Sequence, residues 1–91
     1  MLYIVKNIDK LPLVISLLQK EDALLLVEGA IYAASERSSI FSLLSEHGLT
    51  YVLLEDLDAR GWREKVAPSV NVVDMMGFVE LTEQYKQSIS W

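Results

Sequence analysis

Apolar residues along this chain alternate between continuous runs and helical spacing. Leu2-Tyr3-Ile4-Val5 is a β-prone run closed by Lys6-Asn7, which predicts a first buried strand. Leu11, Val14, Ile15 and Leu18 then recur at helical spacing, with Pro12 in the first turn, where its missing N–H does no harm. Leu13 and Leu17 widen the stripe, so this helix is expected to be covered on more than one side until Gln19-Lys20-Glu21-Asp22 ends it. Ala23 to Val27 is apolar throughout, the pattern of a strand buried on both faces of a parallel sheet.

Glu28-Gly29 closes that strand and Ala30-Ile31-Tyr32-Ala33-Ala34 opens a helix, which polar Ser35 to Ser39 interrupts. Ile40, Phe41, Leu43 and Leu44 resume its apolar face, and His47-Gly48 offers a C-terminal stop. Thr50 to Leu54 predicts a third strand, followed by a short turn or helix from Asp56 to Arg60 and a loop through Pro68. Val70 to Val73 predicts a fourth strand, and Asp74 is placed to cap the next helix. On that helix Met75, Phe78, Val79 and Thr82 define an apolar face opposite Glu80, Glu83, Gln84 and Gln87. Strand and helix alternate four times with short links, which argues for an α/β fold with a parallel sheet flanked by helices. No linker, repeat or low-complexity segment divides residues 1–91, so one domain is expected.

Composition changes this picture in three ways. An apolar fraction of 52 % in 91 residues exceeds what so small an interior hides, so some of it is expected to face another subunit. The net charge is −5 and the lysines (Lys6, Lys10, Lys20, Lys65, Lys86) are scattered, which argues against direct nucleic-acid binding. Ala23–Val27 is far too short to span a bilayer, and Met1 begins what reads as a strand, with no basic region ahead of a signal-type apolar run, so no membrane association and a cytoplasmic location are expected.

Candidate chemistry is sparse. The chain has no cysteine, which excludes disulfides, thiolate metal sites and cysteine catalysis within this polypeptide. Glu55, Asp56 and Asp58 lie where an open α/β sheet presents its carboxyl edge and could be read as a carboxylate site for a divalent ion. The plainer reading is that Asp56 caps a helical turn with Asp58 and Arg60 solvated beside it. Glu28-Gly29 could let a backbone approach a ligand, but no glycine-rich phosphate cradle is present and a tight strand-to-helix turn explains it. His47 is the single histidine, without evident partners, and no serine sits in a Gly-x-Ser-x-Gly elbow. No cofactor or metal is therefore expected. Glu28, Asp56 and Arg60 form a candidate polar edge, while Phe78, Tyr85 and Trp91 are candidate subunit-interface residues. Trp91 either closes the chain's own core or anchors into a neighbour.

Thr50-Tyr51-Val52-Leu53, Asp56-Leu57-Asp58-Ala59-Arg60-Gly61, Val72-Val73-Asp74, Gly77-Phe78-Val79-Glu80-Leu81-Thr82 and the final Trp91, in this order, closely resemble the DsrH/TusB family. Leu24 to Glu28 leading into Ile31-Tyr32-Ala33-Ala34 extends the resemblance upstream. It implies a small three-layer α/β/α domain with a mainly parallel, four-stranded sheet. It also implies assembly with DsrE/TusD-type and DsrF/TusC-type subunits into a heterohexamer with two copies of each. The Tus branch relays persulfide sulfur toward 2-thiolation of the wobble uridine of certain tRNAs; the Dsr branch acts in sulfur oxidation. In such complexes the transferring cysteine lies on the DsrE/TusD-type chain. Some DsrH members carry a cysteine in the first helix, and Leu11 to Lys20 has none. Many relatives read Glu-Asp-Gly or Gln-Asp-Gly before the second helix, whereas this chain reads Glu28-Gly29-Ala30. The resulting expectation is a non-catalytic subunit of a sulfur relay, with a Dsr-type subunit or a free-standing homo-oligomeric binding protein as alternatives.

Overall fold

The computed structural model describes residues 1–46 and 49–91. Its strands are β1 (Leu2–Val5), β2 (Ala23–Leu26), β3 (Thr50–Leu53), β4 (Asn71–Val73) and β5 (Ser88–Ser90). They form one sheet in the order β4-β3-β2-β1-β5, and every neighbouring pair is parallel. The helices are α1 (Leu11–Leu17), α2 (Phe41–Leu44), α3 (Leu54–Ala59) and α4 (Met75–Gln84), with 3-10 segments at Ile8–Lys10, Glu28–Ala34 and Arg63–Lys65.

The sheet has five strands where the sequence pattern predicts four. Ser88-Ile89-Ser90 is short, polar on alternate residues and exposed, so it carries no strand signature of its own. Its identity comes from β1, whose outer edge would otherwise leave buried N–H and C=O groups without partners. Leu2 N–H donates to Gln87 C=O at 2.9 Å, and Trp91 N–H donates to Ile4 C=O at 2.8 Å. The chain reaches that edge by crossing the whole sheet. Five strands at about 4.8 Å spacing put the edges about 19 Å apart, and a ten-residue α4 covers about 15 Å of that.

Strand alternation splits the core into two clusters. Tyr3, Val5, Leu24, Leu26 and Val52 project to one face, where Leu11, Val14, Ala30, Ile31, Leu44 and Leu57 cover them. Leu2, Ile4, Leu25 and Leu53 project to the other, under Leu81 with half-buried Phe78 and Tyr85. α4 and its C-cap therefore face inward through Phe78, Leu81 and Tyr85; of the apolar face Met75, Phe78, Val79 and Thr82, only Phe78 packs on the sheet. Phe78, Leu81 and Tyr85 are spaced i, i+3, i+7 and carry the stripe toward β5, whereas Met75 and Val79 lie to the side and stay exposed.

The predicted helix after β2 is a 3-10 segment from Glu28 to Ala34. Its buried Ala30, Ala33 and Ala34 have side chains small enough for the tighter coil to press onto the sheet. Ser35 ends it in extended conformation, and its Oγ accepts the Arg37 N–H at 3.2 Å, so the polar interruption has a structural cause. The expected stop at His47-Gly48 lies outside the described residues.

Candidate interface and polar edge

Parallel strands deliver their carboxyl ends to one rim, and β2 and β3 bring Glu28 and the start of α3 together there. The Asp56 Oδ2 accepts the Glu28 backbone N–H at 2.6 Å, and Arg60 Nη1 lies 3.9 Å from Asp56 Oδ1. The candidate polar edge of Glu28, Asp56 and Arg60 is thus one cluster. Its role differs from the expected cap, because Leu53 occupies the N-cap of α3 without a side-chain bond and Asp56 sits in the first turn. The carboxylate instead holds a neighbouring loop. It does so where Glu28 adopts φ 49°, the left-handed region that costs an L-residue about 1–2 kcal/mol.

The other two carboxylates go elsewhere. Glu55 Oε2 accepts the Met75 N–H at 3.0 Å, tying α3 to the first turn of α4. Asp58 receives a two-pronged bond from Arg63, at 2.8 Å from Nε and 2.6 Å from Nη2. That hydrogen-bonded guanidinium holds the Asp58 carboxyl below its usual range, and Asp58 in turn raises Arg63. Three carboxylates with three separate partners do not converge on a cation. No group of three or more His, Cys, Asp or Glu is placed to hold a metal among the described residues. Asp74 caps α4 as predicted, with Oδ1 accepting the Gly77 N–H at 2.8 Å.

The three aromatic candidates do not share a surface. Phe78 and Tyr85 pack from α4 onto one face of the sheet. Burial, followed by the nearby Tyr51 and Asp22, pushes the Tyr85 phenol above its ordinary value. Trp91 continues the β5 ladder beside Val5 and packs into the cluster on the opposite face. Its backbone is held on both sides, since Lys6 N–H donates to its C=O at 2.9 Å. The indole Nε1 is buried without a hydrogen-bond partner among the described residues. Trp91 lies at the carboxyl end of the β1–β5 pair, where the strand order reverses.

A further aromatic cluster lies around Trp62. Trp62 meets Tyr32 edge to face, with centroids 4.9 Å apart, and Lys65 Nζ lies 5.0 Å from the indole centroid. Trp62 and Lys65 line a depression of about 290 Å³ together with Ser35, Arg37 and Glu64. The available signal was a tryptophan directly after Gly61 in a polar loop; its partner Tyr32 is remote in sequence.

The family model described as "DsrH like protein" matches residues 6–88. Protein TusB of Salmonella enteritidis PT4 (strain P125109) is 37 % identical over 81 residues, covering 88 % of this chain and 85 % of that protein. Protein TusB of Salmonella arizonae shows the same identity over the same shares of both chains. The family-model match runs from just after β1 to the first residue of β5, including the polar edge and α4, and this chain belongs to the DsrH/TusB family.

Proposed function

We propose that this chain is a non-catalytic subunit of a TusBCD-like sulfur relay, which passes persulfide sulfur toward 2-thiolation of the tRNA wobble uridine. The observation that carries this reading is the near full-length similarity to TusB proteins in a chain without cysteine. A persulfide relay needs a thiolate at every station, so the sulfur must be carried on a partner chain. The partners would be TusC/DsrF-type and TusD/DsrE-type subunits, two copies of each with two of this chain, in the cytoplasm and without direct contact to RNA.

The packing supports a structural role. At the carboxyl rim, where such sheets usually hold reactive groups, Asp56 and Glu55 hold backbone N–H groups and the Trp91 backbone is paired to β1. Core on both faces of the sheet supports the three-layer arrangement, and the exposed parts of Phe78, Tyr85 and Trp91 are available to a partner. Of the two branches, the Tus reading is favoured because α1 lacks the cysteine that some DsrH members carry there. Co-expression with TusC- and TusD-type chains, followed by native mass spectrometry, tests the assembly. Six chains in equal proportions are expected; a stable homo-oligomer indifferent to those chains would defeat the proposal.

A further inference from the structure

The outward side of α4 carries apolar side chains that the fold itself does not use. Met76 is 72 % exposed, Met75 50 % and Val79 49 %, while Phe78, Leu81 and Tyr85 on the inward side already fill the sheet. The helix itself carries one sign of charge. From its cap Asp74 to Gln84 the charged residues are Asp74, Glu80 and Glu83, and the nearest cation in sequence, exposed Lys86, lies beyond its end. Glu80 and Glu83 are exposed and follow Met76 and Val79 at i+4 on the helix. Glu55, bonded to the Met75 N–H, adds a carboxylate at the start of α4.

This charge pattern discriminates among occupants. A second copy docked through the same face would bring Glu80 and Glu83 of both copies to one interface, with no cation on the helix and one Lys86 per copy beyond its end, so acidic groups would outnumber basic ones two to one. A head-to-tail contact with the exposed Leu13 and Leu17 of α1 gains nothing, since Asp9, Lys10, Lys20 and Glu21 frame those residues with both signs equally. Met75 and Met76 add adaptable apolar surface. We infer that the outer face of α4 docks a different protein chain, through an apolar surface rimmed by lysine or arginine. The inference rests on the complex-subunit reading above and specifies the surface it uses.

The test co-expresses tagged chain with the TusC- and TusD-type chains and measures their co-purification at about 0.1 M and about 0.5 M salt. Met76→Glu and Val79→Glu place a charge on an exposed helix face, so folding should persist by circular dichroism, while partner recovery should fall at least about tenfold. Met76→Leu should behave as wild type. The double change Glu80→Lys, Glu83→Lys should weaken recovery at low salt and abolish its salt dependence. If wild type forms the complex and Met76→Glu and Val79→Glu do so equally, the α4 surface is wrong and the complex reading stands. If wild type binds neither partner, both fall. Self-association lost on Met76→Glu would overturn the choice of occupant.

Discussion

Replacing Trp91 by alanine probes the step by which β5 is locked to β1. A buried aromatic of this size removes about 150–250 Å² from water, worth roughly 4–6 kcal/mol at about 25 cal/mol per Å². Trp91 is only half-buried and alanine recovers part of the burial, which leaves a loss of about 2–4 kcal/mol. The backbone bonds to Ile4 and Lys6 do not depend on the side chain, so the cost is chiefly one of packing. For a domain of this size, about 4–8 °C per kcal/mol gives a Tm roughly 10–30 °C lower. Trp91→Phe separates packing from hydrogen bonding: Nε1 has no partner among the described residues, so phenylalanine should retain most of the stability. Thermal melts followed by far-ultraviolet circular dichroism, with urea titration for the free energy, measure both variants. An unchanged Tm in Trp91→Ala, or a Trp91→Phe as unstable as Trp91→Ala, would refute the packing account.

Three further outcomes follow from named contacts. Asp56→Ala should lower stability by about 1–2 kcal/mol in urea titration, because it frees the Glu28 N–H from a charged acceptor; an unchanged midpoint would make that bond inconsequential. Glu28→Gly should raise stability by up to about 1 kcal/mol, as relief of the left-handed strain slightly exceeds the entropy that glycine loses on folding; a fall in Tm would argue against strain at this turn. The raised Tyr85 phenol keeps its proton longer in the folded state than in the unfolded one. Its contribution is complete below the ordinary tyrosine value of about 10 and is lost as pH rises through the folded value, so wild type should lose stability above that pH more steeply than Tyr85→Phe. Parallel pH–stability curves for the two proteins would disprove it.

Four strands were legible because each is an apolar run that needs no partner to be recognised, as in Leu2–Val5 and Ala23–Leu26. Ser88–Ser90 is a strand only because β1 has an edge to fill, which is information about the sheet and not about those residues. The inward stripe of α4 was misjudged for a related reason. Met75 and Val79 are apolar and helically spaced, but the crossing to β5 turns Leu81 and Tyr85 inward instead. Glu28, Asp56 and Arg60 could be placed on one rim from strand order alone. The hydrogen bond that makes Asp56 a clamp on Glu28, across the two strand ends, required tertiary structure. The missing cysteine needed no structure at all, and it bears most directly on function.

The claim that this chain serves tRNA thiolation without carrying the sulfur is tested most directly in cells lacking its gene. Mass spectrometry of digested tRNA would quantify 2-thiouridine derivatives in the deletion strain and after complementation. The account predicts a marked loss of wobble thiolation, restored by the cysteine-free wild-type chain. Unchanged thiolation in the deletion strain would contradict it.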